Sequence, residues 1–141
     1  MCLLYRVRVN IQATVRTDGR VPVTVLHIQG NIDTLTFSQL EKKGEEVYQA
    51  GARRIILDLS EVGYVSSAGV RAVHTIFNLL RSNYPPENDA ALAEKMATKT
   101  FKSQLLKLVR PNDVVRQILH TSGYNLFLEM HDDLDETIQS F

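Results

Sequence analysis

Ser66 and Ser67 carry the most chemical potential in this chain. They separate an extended apolar run from the helix-forming stretch that starts Ala68-Gly69-Val70-Arg71. A serine at a strand-to-helix junction can accept hydrogen bonds from backbone N–H groups and cap the helix. The same unpaired amides, with the positive end of the helix dipole, favour an anion, so a hydroxyl here is also a favourable carrier for phosphate. Ala68 and Gly69 add little bulk, leaving the hydroxyls accessible and the backbone open to close approach.

Other candidates have plainer explanations. His27, His74, His120 and His131 do not pair at metal-ligand spacing on a helix. His27 reads as a sheet-surface residue, and His120 as a favourable cation at a helix end. Asp132, Asp133 and Asp135 suit a helix opening and lack the glycine and distal glutamate of a calcium loop. No Walker, dinucleotide or Gly-x-Ser-x-Gly motif is present, and Gly63…Gly69 lacks the Lys-Ser/Thr ending of a phosphate loop. Ser67 and His74 are seven residues apart, about 10 Å along a helix, too far for a direct proton relay. The expectation is a protein without catalytic residues, metal or cofactor.

Composition sets the frame for these residues. The 141 residues are 44% hydrophobic and 23% charged, as in one ordinary globular domain. Sixteen basic residues balance sixteen acidic ones, so no net field favours nucleic acid or an anionic membrane. Lys95, Lys99, Lys102 and Lys107 are interrupted by apolar residues and read as a solvated surface. Cys2, the single cysteine, can form no internal disulfide. Arg6, Arg8 and Asn10 interrupt the apolar N-terminus, and no run approaches the roughly 20 apolar residues of a membrane span. A cytoplasmic protein that binds neither membrane nor nucleic acid directly is expected; composition sets no oligomeric state.

Periodicity supplies the elements that must hold the serines. Tyr5, Val7, Val9 and Ile11 alternate with polar residues as a half-buried strand. A tight turn at Asp18-Gly19, where both residues tolerate positive φ, leads to a returning strand over Val21–Gly30, with Pro22 at its start. Thr34 or Thr36 then caps a helix bearing Phe37, Leu40, Gly44, Val47 and Tyr48 on one stripe, closed by Gly51. Arg54–Leu59 is the dense apolar run of a central strand, reached by a right-handed crossover.

A second helix spans Ser67 to Arg81, followed by a Tyr84–Asn88 loop and a short extra helix from Asp89 with Ala90, Leu92, Ala93 and Met96. Leu105, Leu106, Leu108 and Val109 suggest a strand. Pro111-Asn112-Asp113 opens a third helix that closes at Ser122-Gly123. A strand over Leu126–Met130 precedes a last helix holding Leu134 and Ile138. The sum is an α/β fold, a mixed sheet with about four helices packed on it, in one domain over residues 1–141.

The order Gly30-Asn31-Ile32-Asp33, then Ile56-Leu57-Asp58-Leu59-Ser60 through Tyr64-Val65-Ser66-Ser67-Ala68-Gly69-Val70-Arg71, resembles the STAS domain of anti-sigma factor antagonists. Val114-Val115-Arg116-Gln117-Ile118-Leu119 with Ser122-Gly123-Tyr124 is similar to the family's third helix and the turn after it. The resemblance runs from about Val23 to the C-terminus. It implies an anti-sigma factor antagonist that binds a serine-kinase anti-sigma factor, is phosphorylated by it, and is reset by a serine phosphatase. ATP and magnesium would belong to the kinase.

Carried onto this chain, the phosphorylated residue is Ser67, with Ser66 as the alternative acceptor where the family often has aspartate. Asp33, Ser66, Ala68, Gly69, Val70 and Arg71 would form the partner surface; Asp33 is equally suited to a turn or cap. Two departures stand out: an extended N-terminal strand over residues 1–20 and an insertion-like segment over 82–102. They leave open a second reading, a STAS scaffold or ligand-sensing module in a signalling or transport complex, with no phosphorylation cycle.

Overall fold

The computed structural model describes residues 9–82 and 103–141. Cys2, the start of the first strand and the Tyr84–Lys102 readings, the short extra helix among them, lie outside the described residues. Five strands form one sheet in the order of the sequence: β1 (Asn10–Arg16), β2 (Val23–Gln29), β3 (Ile55–Glu61), β4 (Leu106–Val109) and β5 (Glu129–His131). β1 and β2 form the antiparallel hairpin, and every later pairing is parallel. Among the described residues, four α-helices supply the connections and the end: α1 (Phe37–Gln49), α2 (Ser67–Ser82), α3 (Asp113–Thr121) and α4 (Leu134–Gln139). No helix of the described residues is long and apolar enough to cross a membrane.

Strand alternation divides two cores of unequal size. Leu26, Ile28, Ile55, Leu57, Leu59, Leu106 and Leu108 face α1, α2 and α3, with Leu40, Val73, Ile76, Val115 and Leu119 packed on them. Val23, Val25, Ile56 and Val109 face the other way and meet Ile138 of α4. The α1 stripe packs as its periodicity predicts. A Cβ on Gly44 would lie 2.7 Å from Ile76 Cγ1, so even a methyl here would require the Ile76 side chain to shift.

The short α4 covers part of its sheet face, and polar rungs serve the rest. Asn10 Nδ2 donates to Gln29 Oε1 at 2.9 Å, and Gln29 Nε2 to Glu61 Oε2 at 2.7 Å. A second rung joins Thr14 Oγ1 to His27 Nε2 at 3.0 Å and His27 Nδ1 to Asp58 Oδ2 at 2.9 Å. Burial is the largest single influence on Asp58 and opposes its charge. Hydrogen bonds from Ser60 and His27 together outweigh it and hold the carboxyl below the usual range. In the neutral tautomer that suits an ionised Asp58, Nδ1 carries the ring proton and Nε2 accepts from the Thr14 hydroxyl. His27 is thus a sheet-surface residue, as expected, with two partners that sequence reasoning did not find.

Several boundaries differ from expectation. β1 reaches Arg16, beyond the alternation that ends at Ile11, and six residues rather than a two-residue turn separate it from β2. Gly19 does not adopt positive φ. Its value is space, since a Cβ there would stand 3.1 Å from Ile138 Cγ2. Thr36 stands at the start of α1 without capping it through its side chain. Tyr124–Leu126 forms a 3-10 turn after Gly123 (φ +82°), so β5 begins at Glu129 rather than Leu126.

Candidate functional site

The site forms where the loop after β2 meets the loop after β3. Ile32 and Val65 make an isolated parallel bridge: Ile32 N donates to the Tyr64 carbonyl at 3.0 Å, and Ser66 N to the Ile32 carbonyl at 2.9 Å. The Gly30–Asp33 segment is thereby fastened to the entrance of α2. Gly69 makes the approach possible. A Cβ there would strike the Ile32 carbonyl oxygen and lie 2.7 Å from Val65 Cγ1.

The two serines have different surroundings. Ser66 is half-buried, its Oγ accepts from Gly69 N at 3.3 Å, and its carbonyl accepts from Val70 N at 2.9 Å. It therefore acts as the N-cap of α2. Ser67 is the first residue of the helix, exposed, and its hydroxyl has no hydrogen-bond partner among the described residues. A group attached to Ser67 would project into solvent beside the positive end of a 16-residue helix.

Asp33 shapes the adjoining loop. Its Oδ1 accepts from Leu35 N at 3.0 Å, and its carbonyl accepts from Phe37 N at 2.8 Å in the first turn of α1. Thr36 Oγ1 accepts from Asp33 N at 3.0 Å and donates to the Asn31 carbonyl at 2.7 Å. The Thr36 hydroxyl that periodicity assigns to capping is thus spent on this loop. Of the other expected contact residues, Arg71 is exposed and Ala68 half-exposed, whereas Gly69 and Val70 are buried. Gly69 and Val70 therefore position the surface from beneath.

A third loop adjoins the same place. Asn112 Oδ1 caps α3 by accepting from Val115 N at 2.8 Å, while its Nδ2 donates to the Val62 and Gly63 carbonyls, each at 3.2 Å. The preceding Arg110 has φ +54°, the one positive φ outside glycine among the described residues. Leu35, Tyr64 and Val114 are exposed at 63%, 46% and 53%, the first two on the joined loops and the third in the first turn of α3 that Asn112 caps. Sequence reasoning placed Tyr64 in the serine junction and Val114 on the third helix without seeing either as an exposed apolar contact, and it passed over Leu35. Leu35 carried a usable signal, being an apolar side chain inside the polar turn Asp33-Thr34-Leu35-Thr36.

Among the described residues no cluster of His, Cys, Asp or Glu suits a metal ion. His74 makes no hydrogen bond through Nδ1 and instead packs on the rings of Phe77 and Tyr124, with centroids 6.1 and 5.7 Å away. The site thus offers an exposed hydroxyl on a rigid, partly apolar platform rather than a nucleophile paired with a base.

A mixed sheet entered by a hairpin, with a serine-bearing helix start stitched to the loop after β2, defines a recognisable class. The STAS domain family model matches residues 12–84, just over half of the chain, and the chain belongs to that family. Among curated proteins, an anti-sigma factor antagonist of Bordetella bronchiseptica, BtrV, is 37% identical over 54 residues, 38% of this chain. The match spans about half of that relative's length, 47%. Among solved structures, an anti-sigma factor antagonist from Mycobacterium paratuberculosis aligns with a TM-score of 0.69 at 18% identity, covering 95% of this chain and 94% of that one. The Bacillus cell fate determinant SpoIIAA in its phosphorylated form aligns at a TM-score of 0.55 and 19% identity, over 90% and 96% of the two chains. These two likenesses establish a shared fold.

Proposed function

We propose that this chain is an anti-sigma factor antagonist that works as a partner switch through Ser67. In the unmodified state, the platform of Leu35, Tyr64, Ser67 and Arg71 binds a serine-kinase anti-sigma factor and frees its sigma factor. The kinase transfers phosphate to Ser67, and a serine phosphatase removes it. The added charge is about −1.5 to −2 at neutral pH. Arg71, one turn along α2, offsets part of that charge, but in a fitted interface carrying exposed Leu35 and Tyr64 the phosphate must lose water and meets the acidic or phosphate groups of the kinase, which weakens the complex. The chain itself contributes the acceptor hydroxyl and the shape around it.

The observation that carries this reading is the contrast between the serines. Ser66 is engaged in capping, while Ser67 stands exposed on the same turn. The names of the relatives support the sigma-factor setting, and the shared fold is compatible with it.

The test is to incubate the chain with candidate kinase anti-sigma factors and map phosphate by mass spectrometry. Labelling is expected on Ser67, absent in Ser67→Ala and retained in Ser66→Ala. Binding should survive Ser67→Ala and weaken in Ser67→Asp. Full labelling of Ser67→Ala, or equal binding by the alanine and aspartate variants, overturns the mechanism.

A further inference from the structure

The outer edge of β1 has no strand paired with it among the described residues. Folded proteins blunt such edges with lysine, proline, inward-pointing charge or bulges, because free backbone groups template further pairing. β1 has none of these devices. Its pairing with β2 runs through seven consecutive residues without a bulge. Its one charged residue, Arg16, is drawn toward Asp18 and Asp135, each at 2.8 Å. Ala13 and Val15 are both exposed, Val15 at 65%, on the sheet face they share with Ile11.

The residue order of β1 is its own complement. Turned about a two-fold axis at Ala13 and laid antiparallel, Ile11 faces Val15 of the second copy, and Ala13 faces its own equivalent. On the opposite face Gln12 meets Thr14, and Asn10 meets Arg16. Apolar side chains thus meet apolar ones, and polar meet polar. The two Arg16 side chains lie six residues apart along the seam, about 20 Å at strand rise. A slip of one residue would set Ile11 and Val15 against the polar face, and a slip of two would shorten the seam from seven paired residues to five, so matched faces with full overlap select this register. The formal net charge of the chain is zero, so two copies approach without overall repulsion.

We infer that β1 is the contact between two copies of this chain, joining their sheets edge to edge across a two-fold axis at Ala13. The pair is isologous, as closed dimers require. No β1 residue contributes to the platform around Ser67, so the inference stands apart from the switching reading, and a dimer offers two such platforms.

The test uses the full chain in sedimentation velocity from micromolar to near-millimolar concentration. The expected result is a concentration-dependent species of twice 15.9 kDa. Ala13→Lys places two ammonium groups together on the axis and should leave monomer at every concentration. Ser38→Lys, at an exposed position of α1, should leave the dimer intact. Circular dichroism checks that Ala13→Lys remains folded. A second arm places Ala13→Cys in a Cys2→Ser background. Opposed residues in an antiparallel pair lie about 4.5–5.5 Å apart between Cα atoms, within disulfide range, so oxidation should yield a covalent dimer. A wild-type monomer throughout, or a dimer that survives Ala13→Lys, overturns the inference. So does failure of the cysteine variant to cross-link.

Discussion

Gly69 lies directly against the Ile32 carbonyl oxygen, with no room between them for a Cβ. That contact seats α2 on the loop after β2 and thereby sets where Ser67 stands. Gly69→Ala must displace a backbone carbonyl that already accepts from Ser66 N. The helix-propensity gain of alanine, at most about 1 kcal/mol, is outweighed by overpacking of about 1–3 kcal/mol. Gly44→Ala meets only the Ile76 side chain, which can shift by less than a backbone carbonyl held in a hydrogen bond would have to. Urea unfolding should therefore show the larger loss for Gly69→Ala; equal losses would mean the Ile32 loop yields easily.

The two serines should separate in stability as well as in labelling. Ser66→Ala removes the α2 cap at a cost of about 0.5–1 kcal/mol, the low end for caps because the 3.3 Å bond is long. Ser67→Ala removes an exposed hydroxyl and should change stability by less than about 0.5 kcal/mol. Thermal unfolding of the two variants side by side measures the difference.

Asn112 holds both the start of α3 and the loop that precedes Ser66. Asn112→Ala loses the cap and two donated hydrogen bonds, an expected cost of about 1–3 kcal/mol. Asn112→Asp keeps the accepting oxygen and forfeits the donors, so it should fall between wild type and alanine. If aspartate matches wild type in chemical denaturation, the bonds to Val62 and Gly63 contribute nothing.

Asp58 predicts an acid-sensitive component of stability. Its carboxyl is held below its ordinary 3.8 in the folded chain, despite the burial that opposes this. A depressed carboxylate stabilises the fold above the unfolded value and loses that contribution as pH falls through the folded one. Asp58→Asn should be less stable than wild type at neutral pH. It should also lose less stability below about pH 4, so that the two curves converge. Parallel curves across that range would remove Asp58 as the cause.

Lys107, assigned from the sequence to a solvated surface, is instead 1% exposed, with Nζ donating to Ser140 Oγ at 2.8 Å and to the Ser140 carbonyl at 3.1 Å. Glu129 Oε2 lies 3.4 Å away. Lys107→Ala leaves a cavity and unpaired acceptors beneath α4, and should cost about 2–4 kcal/mol. Lys107→Met keeps the stem and should cost less. Amide exchange in Leu134–Gln139 should accelerate in both variants.

The central layer of this fold was legible because its signals are local. The dense run at Ile55–Leu59, the stripe from Phe37 to Tyr48 and the glycines at 51 and 123 each name an element within a few residues. Where two conformations satisfy one pattern, the local signal ran out. The alternation of Ile11, Ala13 and Val15 passes through alanine, a poor strand former, so the pattern weakens before Arg16, where β1 ends. Tyr124–Leu126 is apolar enough for a strand, yet the turn after Gly123 winds it into a 3-10 segment.

By itself the sequence determined the class of the fold and singled out the serine pair at the strand-to-helix junction as the candidate site, because burial patterns and junction chemistry are written in adjacent residues. Only the tertiary structure decided which serine is free. Ser66 is drawn into capping and into a backbone bond with Ile32, some 34 positions earlier in the chain. The same holds for Thr14, His27 and Asp58, and for the hydrogen bonds from Ile32 and Asn112 that join the segments carrying Leu35, Tyr64 and Val114. Such relationships depend on which strands lie side by side, and no local pattern records that.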